Sequence, residues 1–340
     1  MHFYKLFCLS SVALLLLLCN TASADDATGG PSSFAEHFKL GGYASAGITA
    51  PRDAEAEIAL HEISLILTWQ NESRFKFFAE LELETPLVWD DDNDLHTKKS
   101  FLDLERLYLD YNLSEEINLR AGRFLTPTGR WNQLHAAPLV WTSSRPLATS
   151  RLFPIAANGL MAFGAVPVQD SALEYALFWE ALKDQVHDDH EIKFDNVKGA
   201  RLSFGQTANF GLSFMSFNEK GISSPNYRLL GLDFITHYQG IELTGEAFQR
   251  WESHNQDGGS GAYLQTAIPL SFATNWSAIA RVETLHRPDE GHDQRWLVGT
   301  TWRIKPNQLL KLELTGGSNN HSENLAESPR GFAASFAVLF

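Results

Sequence analysis

Apolar and polar residues alternate with a period of two through most of this chain, the spacing of a strand whose two faces meet different surroundings. Segments of this kind lie near 38–48, 57–69, 75–85, 101–113, 117–124, 159–166, 171–181 and 196–205. A second set lies near 209–218, 227–238, 240–252, 260–270, 275–285, 294–304, 308–318 and 330–340. The pattern predicts about sixteen antiparallel strands, with fourteen and eighteen as the neighbouring counts. The connections Asn71–Arg74, Ser114–Glu116, Pro167–Asp170, Thr207–Asn209, Gln239–Gly240, Ser271–Thr274 and Lys305–Asn307 are tight. Those near 49–56, 86–100, 125–158, 182–195, 219–226, 253–259, 286–293 and 319–329 are longer and more polar. In this reading long and short connections alternate without exception.

The two faces differ in a way that decides between fold classes. In 75–85, Phe75, Phe77, Ala79, Leu81 and Leu83 share one face, with Lys76, Glu80, Glu82 and Glu84 on the other. In 240–252, Ile241, Leu243 and Ala247 oppose Glu242, Glu246 and Arg250; in 294–304, Trp296, Val298, Trp302 and Ile304 oppose Arg295 and Arg303. A soluble β-sandwich would bury those charges in a dry core at high cost, whereas a water-filled lumen accepts them. Strands of about ten residues, short turns and longer loops then describe an all-β transmembrane antiparallel barrel with both ends of the chain periplasmic. Its lumen wall would carry Lys76, Glu80, Glu82, Glu242, Glu246 and Arg303. Around His61-Glu62 and Glu105-Arg106 the apolar phase slips by one residue, as at a β-bulge or a misplaced strand end. Trp69, Trp89, Tyr108, Tyr111, Trp251, Trp276, Trp296 and Trp302 are expected on lipid faces or strand ends, as interfacial girdles.

Composition narrows the class. Lys5, the apolar run Val12–Leu18 and Ala22-Ser23-Ala24 form a secretory signal peptide, residues 1–24, cut before Asp25. A lipoprotein anchor at Cys19 would need a small residue where Leu18 stands. Residues 25–37 read as a short periplasmic leader and 38–340 as a single barrel domain. Both cysteines, Cys8 and Cys19, fall in the signal peptide, so the mature chain has no thiol. No later apolar run reaches the length of a spanning helix, and mean hydropathy is −0.19. A formal charge of −14 excludes a nucleic-acid binder.

Two stretches carry a resemblance. Gly331–Phe340 places Phe332, Ala334, Phe336, Val338 and Phe340 on one face, up to the last residue. This ending resembles the C-terminal signature of bacterial outer-membrane β-barrel proteins, whose last strand closes the sheet. The longest connection, Thr126–Asn158, carries Pro127, Arg130, Trp131, Pro138, Trp141, Arg145, Pro146, Arg151 and Pro154 and no acidic residue. It follows the fifth predicted strand, and a loop this long is usually functional; in sixteen-stranded porins the loop at that place folds into the lumen and narrows it. The run Ala121-Gly-Arg-Phe-Leu-Thr-Pro-Thr-Gly-Arg-Trp-Asn132 resembles the G-[KR]-F-x-x-P-x-G stretch of the phosphate-selective porin O/P family. That resemblance implies trimers that pass anions through a constriction lined by arginine and lysine, with Arg123, Arg130, Arg145 and Arg151 as counterparts in kind. Guanidinium groups in a narrow aqueous waist attract oxyanions and bind them through two parallel hydrogen bonds. Equally, these arginines would pair with wall carboxylates and hold the loop down. Glu80, Glu82, Glu242 and Glu246 oppose a purely anion-selective pore, and Glu80 or Glu82 across from the arginines would create a transverse field.

The remaining chemistry is sparse. Asp90–Asp94 and His187–Glu191 are dense in metal-ligating groups, yet they read first as solvated acidic outer loops, where such groups can share divalent ions with lipopolysaccharide phosphates, and no metal site is expected. No zinc motif or EF-hand spacing occurs. His135, His237, His254 and His286, with Ser143, Ser144 and Ser253, are the raw material for an outer-membrane hydrolase, but Gly258-Gly259-Ser260-Gly261 lacks nucleophile-elbow spacing. The expected function is an outer-membrane porin, a passive channel for small hydrophilic solutes that prefers anions such as phosphate. It would be a homotrimer set in outer-membrane lipid and lipopolysaccharide, with no cofactor, no enzymatic activity and no nucleic-acid partner. A plugged barrel acting as scaffold or adhesin is the alternative that composition leaves open.

Overall fold

Period-two alternation over ten or more residues leaves each segment one apolar and one polar face, and a closed sheet gives each face its own surroundings. The computed structural model describes residues 34–340 apart from 53, 91–94, 98–99, 184–191, 206–207, 221–224, 254–255, 289 and 319–329. Sixteen long strands form one sheet. They are β1 (Phe38–Pro51), β2 (Glu57–Gln70), β3 (Phe75–Trp89), β4 (Phe101–Asn112), β5 (Asn118–Leu125) and β6 (Ala156–Val168). Next come β7 (Ser171–Leu182), β8 (Phe194–Gly205), β9 (Ala208–Glu219), β10 (Asn226–Tyr238) and β11 (Ile241–Glu252). The last are β12 (Asp257–Pro269), β13 (Trp276–Arg287), β14 (Gly291–Lys305), β15 (Gln308–Ser318) and β16 (Gly331–Leu339). A two-residue strand, Leu95–His96, adds to β3. Every long strand runs antiparallel to its chain neighbours, and β1 also pairs with β16, from Tyr43↔Leu339 to Pro51↔Gly331. Gly42 and Phe340 exchange two backbone hydrogen bonds of 2.9 Å, which finishes the closure. No edge remains for another chain to extend. Among the described residues no helix is long and apolar enough to cross a membrane.

Both phase slips are register shifts in the sheet. One lies in β2 between Leu60 and Glu62, and the other is set in β4 by Glu105, opposite Glu80 and Leu81. Such a bulge lets two successive residues act on one side of the sheet. Arg106 forms an ion pair with Glu80, while Glu105 reaches His135 at 3.3 Å.

The connections depart from strict alternation. At the end of the barrel holding the tight turns, Leu270–Asn275 is longer than either 253–256 or 288–290 at the opposite, loop end. Strands β12 to β14 continue two or three residues into what the sequence reads as loop, because Asp257, Gly259, His292 and Asp293 still pair with neighbours. Asp91–Asp94, His187–Glu191, His254 and residues 1–24, the expected signal peptide, lie outside the described residues; Asp90 meets His96 at 2.9 Å.

The outer surface is the expected apolar band. Phe75, Leu81, Trp296 and Val298 are exposed on it, and Trp276 stacks on Trp302 with centroids 5.3 Å apart. Tyr108 departs from its expected girdle place. It turns inward, stacked on Phe78 and under the Arg120 guanidinium, 3.6 Å from its ring centroid. The interior also differs from a simple wet lumen. Inward Phe124, Phe178, Met215, Phe217, Leu229, Phe248 and Leu285 are buried in one cluster with Leu147, Ala148, Leu152 and Phe153 of the 126–155 connection. Inward charges such as Glu80, Arg250, Arg281 and Lys311 are likewise buried, in hydrogen-bonded pairs and networks.

Candidate pore constriction

The 126–155 connection runs inside the barrel, and the Ala121–Asn132 stretch is what turns it there. Gly122 holds φ +134°, and a Cβ on it would lie 2.1 Å from the Leu107 carbonyl oxygen of β4. Thr126 Oγ1 donates to Pro154 O at 2.8 Å, tying the two stems of the loop together. Asn132 Nδ2 donates to Thr126 O and to Ile155 O, each at 2.8 Å, and its Oδ1 accepts from Arg145 at 3.1 Å. Short helical turns follow at Trp131–Leu134, Ala137–Leu139 and Leu147–Thr149.

The absence of acidic residues in the loop is explained by the wall, which supplies them. Trp131 N–H donates to Glu246 at 2.7 Å and Leu147 N–H to Glu283 at 2.7 Å, while Ser143 N–H donates to Glu313. Trp141 Nε1 donates to Glu242 at 2.9 Å. Wall cations complete the set by capping loop carbonyls. Lys311 Nζ donates to Ala137 O (2.7 Å) and Thr142 O (3.0 Å), Arg281 to Ser144 O (3.0 Å) and Arg287 to Arg151 O (2.5 Å). Backbone groups leaving water need such partners, and charge-assisted bonds are the stronger kind. The tethers come from β9, β11, β13, β14, β15 and β16, with Ser213, Thr301 and Ser335 among them. On the other side the Ala137–Leu139 turn lies against β1, and His135 meets Glu105 of β4.

The sequence-predicted arginines separate under this geometry. Arg145 is engaged within the loop, with Asn132, Thr149 O (2.9 Å) and Thr149 Oγ1 (3.2 Å). Arg151 pairs with Glu290 at 3.1 Å at the loop end. Arg130 donates to Asn209 Oδ1 at 3.2 Å near the turn end, and Arg123 lies within electrostatic reach of Glu105. On the wall, Glu80 accepts from Ser64 (2.8 Å) and Arg106, Glu82 from Tyr43 Oη (3.0 Å), and Glu246 also from Tyr263 Oη (2.8 Å). Lys76 is exposed at the turn end, and Arg303 donates to Pro306 O at 3.2 Å with its guanidinium 6.0 Å from the Trp141 ring centroid. The structure adds Glu62, Glu105, His135, Arg281, Glu283, Lys311 and Glu313 to the interior set. Two of them carried a signal, because Glu62 and Glu105 sit at the phase slips. Glu62 lies within electrostatic reach of His135 and Lys311. Where the loop meets the wall at His135 and Glu105, Glu82 lies within electrostatic reach of Glu62 and Glu105, and His135, Arg123 and Lys311 lie within reach of one or both of those two. Ser143 Oγ pairs with Ser335 Oγ at 2.5 Å, Ser144 Oγ donates to Glu313 at 3.0 Å and Ser253 Oγ donates to Asn226 O at 3.2 Å.

Solved structures with this architecture are bacterial porins. An anion-selective porin from Comamonas acidovorans superposes with a TM-score of 0.59 at 12% identity, over 89% of this chain and 98% of that one. Salmonella typhi OmpF, solved with daunomycin, gives 0.61 at 9% identity over 89% and 97%. OmpT, described as an outer membrane protein of Vibrio cholerae in trimer form, gives 0.56 at 8% over 89% and 99%. The fold is the porin barrel. No protein-family model matches the chain. A 114-residue stretch is 31% identical to an uncharacterized protein of Aquifex aeolicus strain VF5, covering 33% of this chain and a quarter (25%) of that relative's length. In the barrel described here, the inward loop is bonded to β4, β9, β11 and β13–β16.

Proposed function

We propose that this protein is an outer-membrane porin, a passive channel for small hydrophilic solutes whose waist is formed by the 126–155 loop. The observation that carries the reading is the closed barrel with its apolar outer band and the long loop bonded to inward charged residues. A leader removed on export, periplasmic turns at the turn end and a homotrimer complete the proposal, as does a setting in phospholipid and lipopolysaccharide. The chain acts as a channel rather than an enzyme. Glu62, Glu82 and Glu105, set among Arg123, His135 and Lys311, would give the waist a strong local field that favours polar over apolar solutes. Arg123 and Arg130 are the residues assigned to anion attraction, including phosphate and other oxyanions, while Arg145 and Arg151 hold the loop. The finer link to phosphate-selective porins is supported by the Ala121–Asn132 stretch.

A plugged barrel acting as scaffold or adhesin is the second reading, favoured by tethers that reach the loop from both sides of the lumen. Conductance decides between them. The refolded protein in a planar bilayer under a salt gradient should give stable steps with an anion-preferring reversal potential. Joint replacement of Arg123 and Arg130 by Ala should move that potential toward cations. A folded, heat-modifiable barrel that gives no steps would overturn the channel and leave the plugged barrel.

A further inference from the structure

The outer surface carries charge at one height only partly explained by a lipid band. Along the loop end of β7 to β11, one cross-strand row reads Trp179, Lys198, Ser216, Arg228 and Trp251. All five point outward, since Phe178, Val197, Met215, Phe217, Tyr227, Leu229 and Arg250 beside them in sequence are buried inward. Lys198 and Arg228 are exposed, and among the described residues neither has an ion-pair or hydrogen-bond partner. The next row toward the turn end is Leu177, Ala200, Phe214, Leu230 and Gln249. The cations therefore stand at the upper edge of the apolar band, flanked by two tryptophans of the kind that mark a membrane boundary.

We propose that Lys198, Ser216 and Arg228 form a docking site for the phosphate of a phosphorylated lipid headgroup in the membrane leaflet at the loop end. The idea rests on the outer-membrane barrel reading above. Strands are spaced about 4.8 Å apart, so Lys198 and Arg228, one strand either side of Ser216, have their backbones about 10 Å apart. Their long side chains converge across that span on a single phosphate. The arginine fork donates two hydrogen bonds to phosphate oxygens, the lysine ammonium supplies a point charge, and the Ser216 hydroxyl donates from beneath. Phe214 and Leu230 in the row below lie where an acyl chain would descend. An unpaired outward cation costs little near the interface and far more at the midplane. The row's height thus suits a charged headgroup and excludes a purely hydrocarbon contact. A free anion would not require the apolar row below.

The test uses the full-length barrel in detergent, with diphosphoryl lipid A as probe and its dephosphorylated form beside it. The wild-type protein should retain the phosphorylated probe at least tenfold more tightly than K198A/R228A. The dephosphorylated probe should bind both proteins equally weakly. K198Q/R228Q repeats the measurement if the alanine pair fails to fold, and K305A at the turn end controls for general loss of charge. Equal retention by wild type and double variant overturns the site. So does competition by millimolar inorganic phosphate that needs no lipid, which would mark a free-anion site. A changed protomer number in the double variant would show the row to be a protein contact and overturn it too. Bilayer conductance of the same variants should be unchanged, which keeps failure of this site distinct from failure of the channel.

Discussion

Gly129 holds φ +67°, and a Cβ added there would lie 1.9 Å from Glu246 Oε2. Left-handed backbone costs a side-chain-bearing residue on the order of 1–2 kcal/mol before any clash. The same glycine donates its N–H to Ser213 at 3.2 Å, and Trp131 two residues later caps Glu246. Gly129→Ala should therefore push the loop off β11 without opening the barrel. Trypsin would cut the unboiled variant after Arg130 several-fold faster than the wild type, while heat-modifiable migration stays normal. Cleavage at the wild-type rate would mean that Gly129 does not seat the loop. At this scale the resemblance stretch has a physical account of its own. Gly122, Thr126, Gly129 and Asn132 are the residues that turn a strand into an inward loop. That work is independent of any solute.

A loop is held by packing as well as by hydrogen bonds. Both parts of this one are bonded to carboxylates and cations of the wall, and the returning part, Leu147–Phe153, is in addition packed in an apolar cluster. Phe153 is fully buried with its ring centroid 4.9 Å from that of Phe248. Phe153→Ala should cost about 3–5 kcal/mol of local packing. The measurable outcome is noisier, larger conductance steps with little change in the temperature at which the barrel itself unfolds. A drop in barrel stability of the full amount would instead make the loop part of one cooperative unit with the wall. The strands were legible element by element. The bulges at His61–Glu62 and Glu105–Arg106 were visible as phase slips, because a one-residue insertion moves every later side chain to the other face. The inward apolar cluster was not visible. Met215, Phe217 and Phe248 read like any apolar strand residue, and local sequence does not say whether lipid or a loop covers it.

For the whole molecule the decisive contact is the closure of β1 on β16. Phe340 completes it by exchanging two backbone bonds with Gly42, and its ring also comes within 3.0 Å of the place a Gly42 Cβ would take. Deleting Phe340 should lower the yield of heat-modifiable barrel on refolding by several-fold and leave the folded fraction with unchanged conductance. Normal refolding would place the closing strength elsewhere in the Tyr43–Pro51 register. The amino-acid sequence by itself determined the strand alternation, a count near sixteen, the faces of most strands and the place of the long loop. Those properties depend on neighbours two residues apart and on turn length. Only the tertiary structure decided that the loop's backbone would be met by Glu246, Glu283 and Glu313, each more than a hundred positions away. It alone decided that Arg145 and Arg151 would be engaged in holding the loop, and that Lys198 and Arg228 would share one outward row. Closing a sheet brings together residues whose separation along the chain carries no trace of their distance in space, so pairings across the lumen and rows around the wall exist only once the barrel is shut.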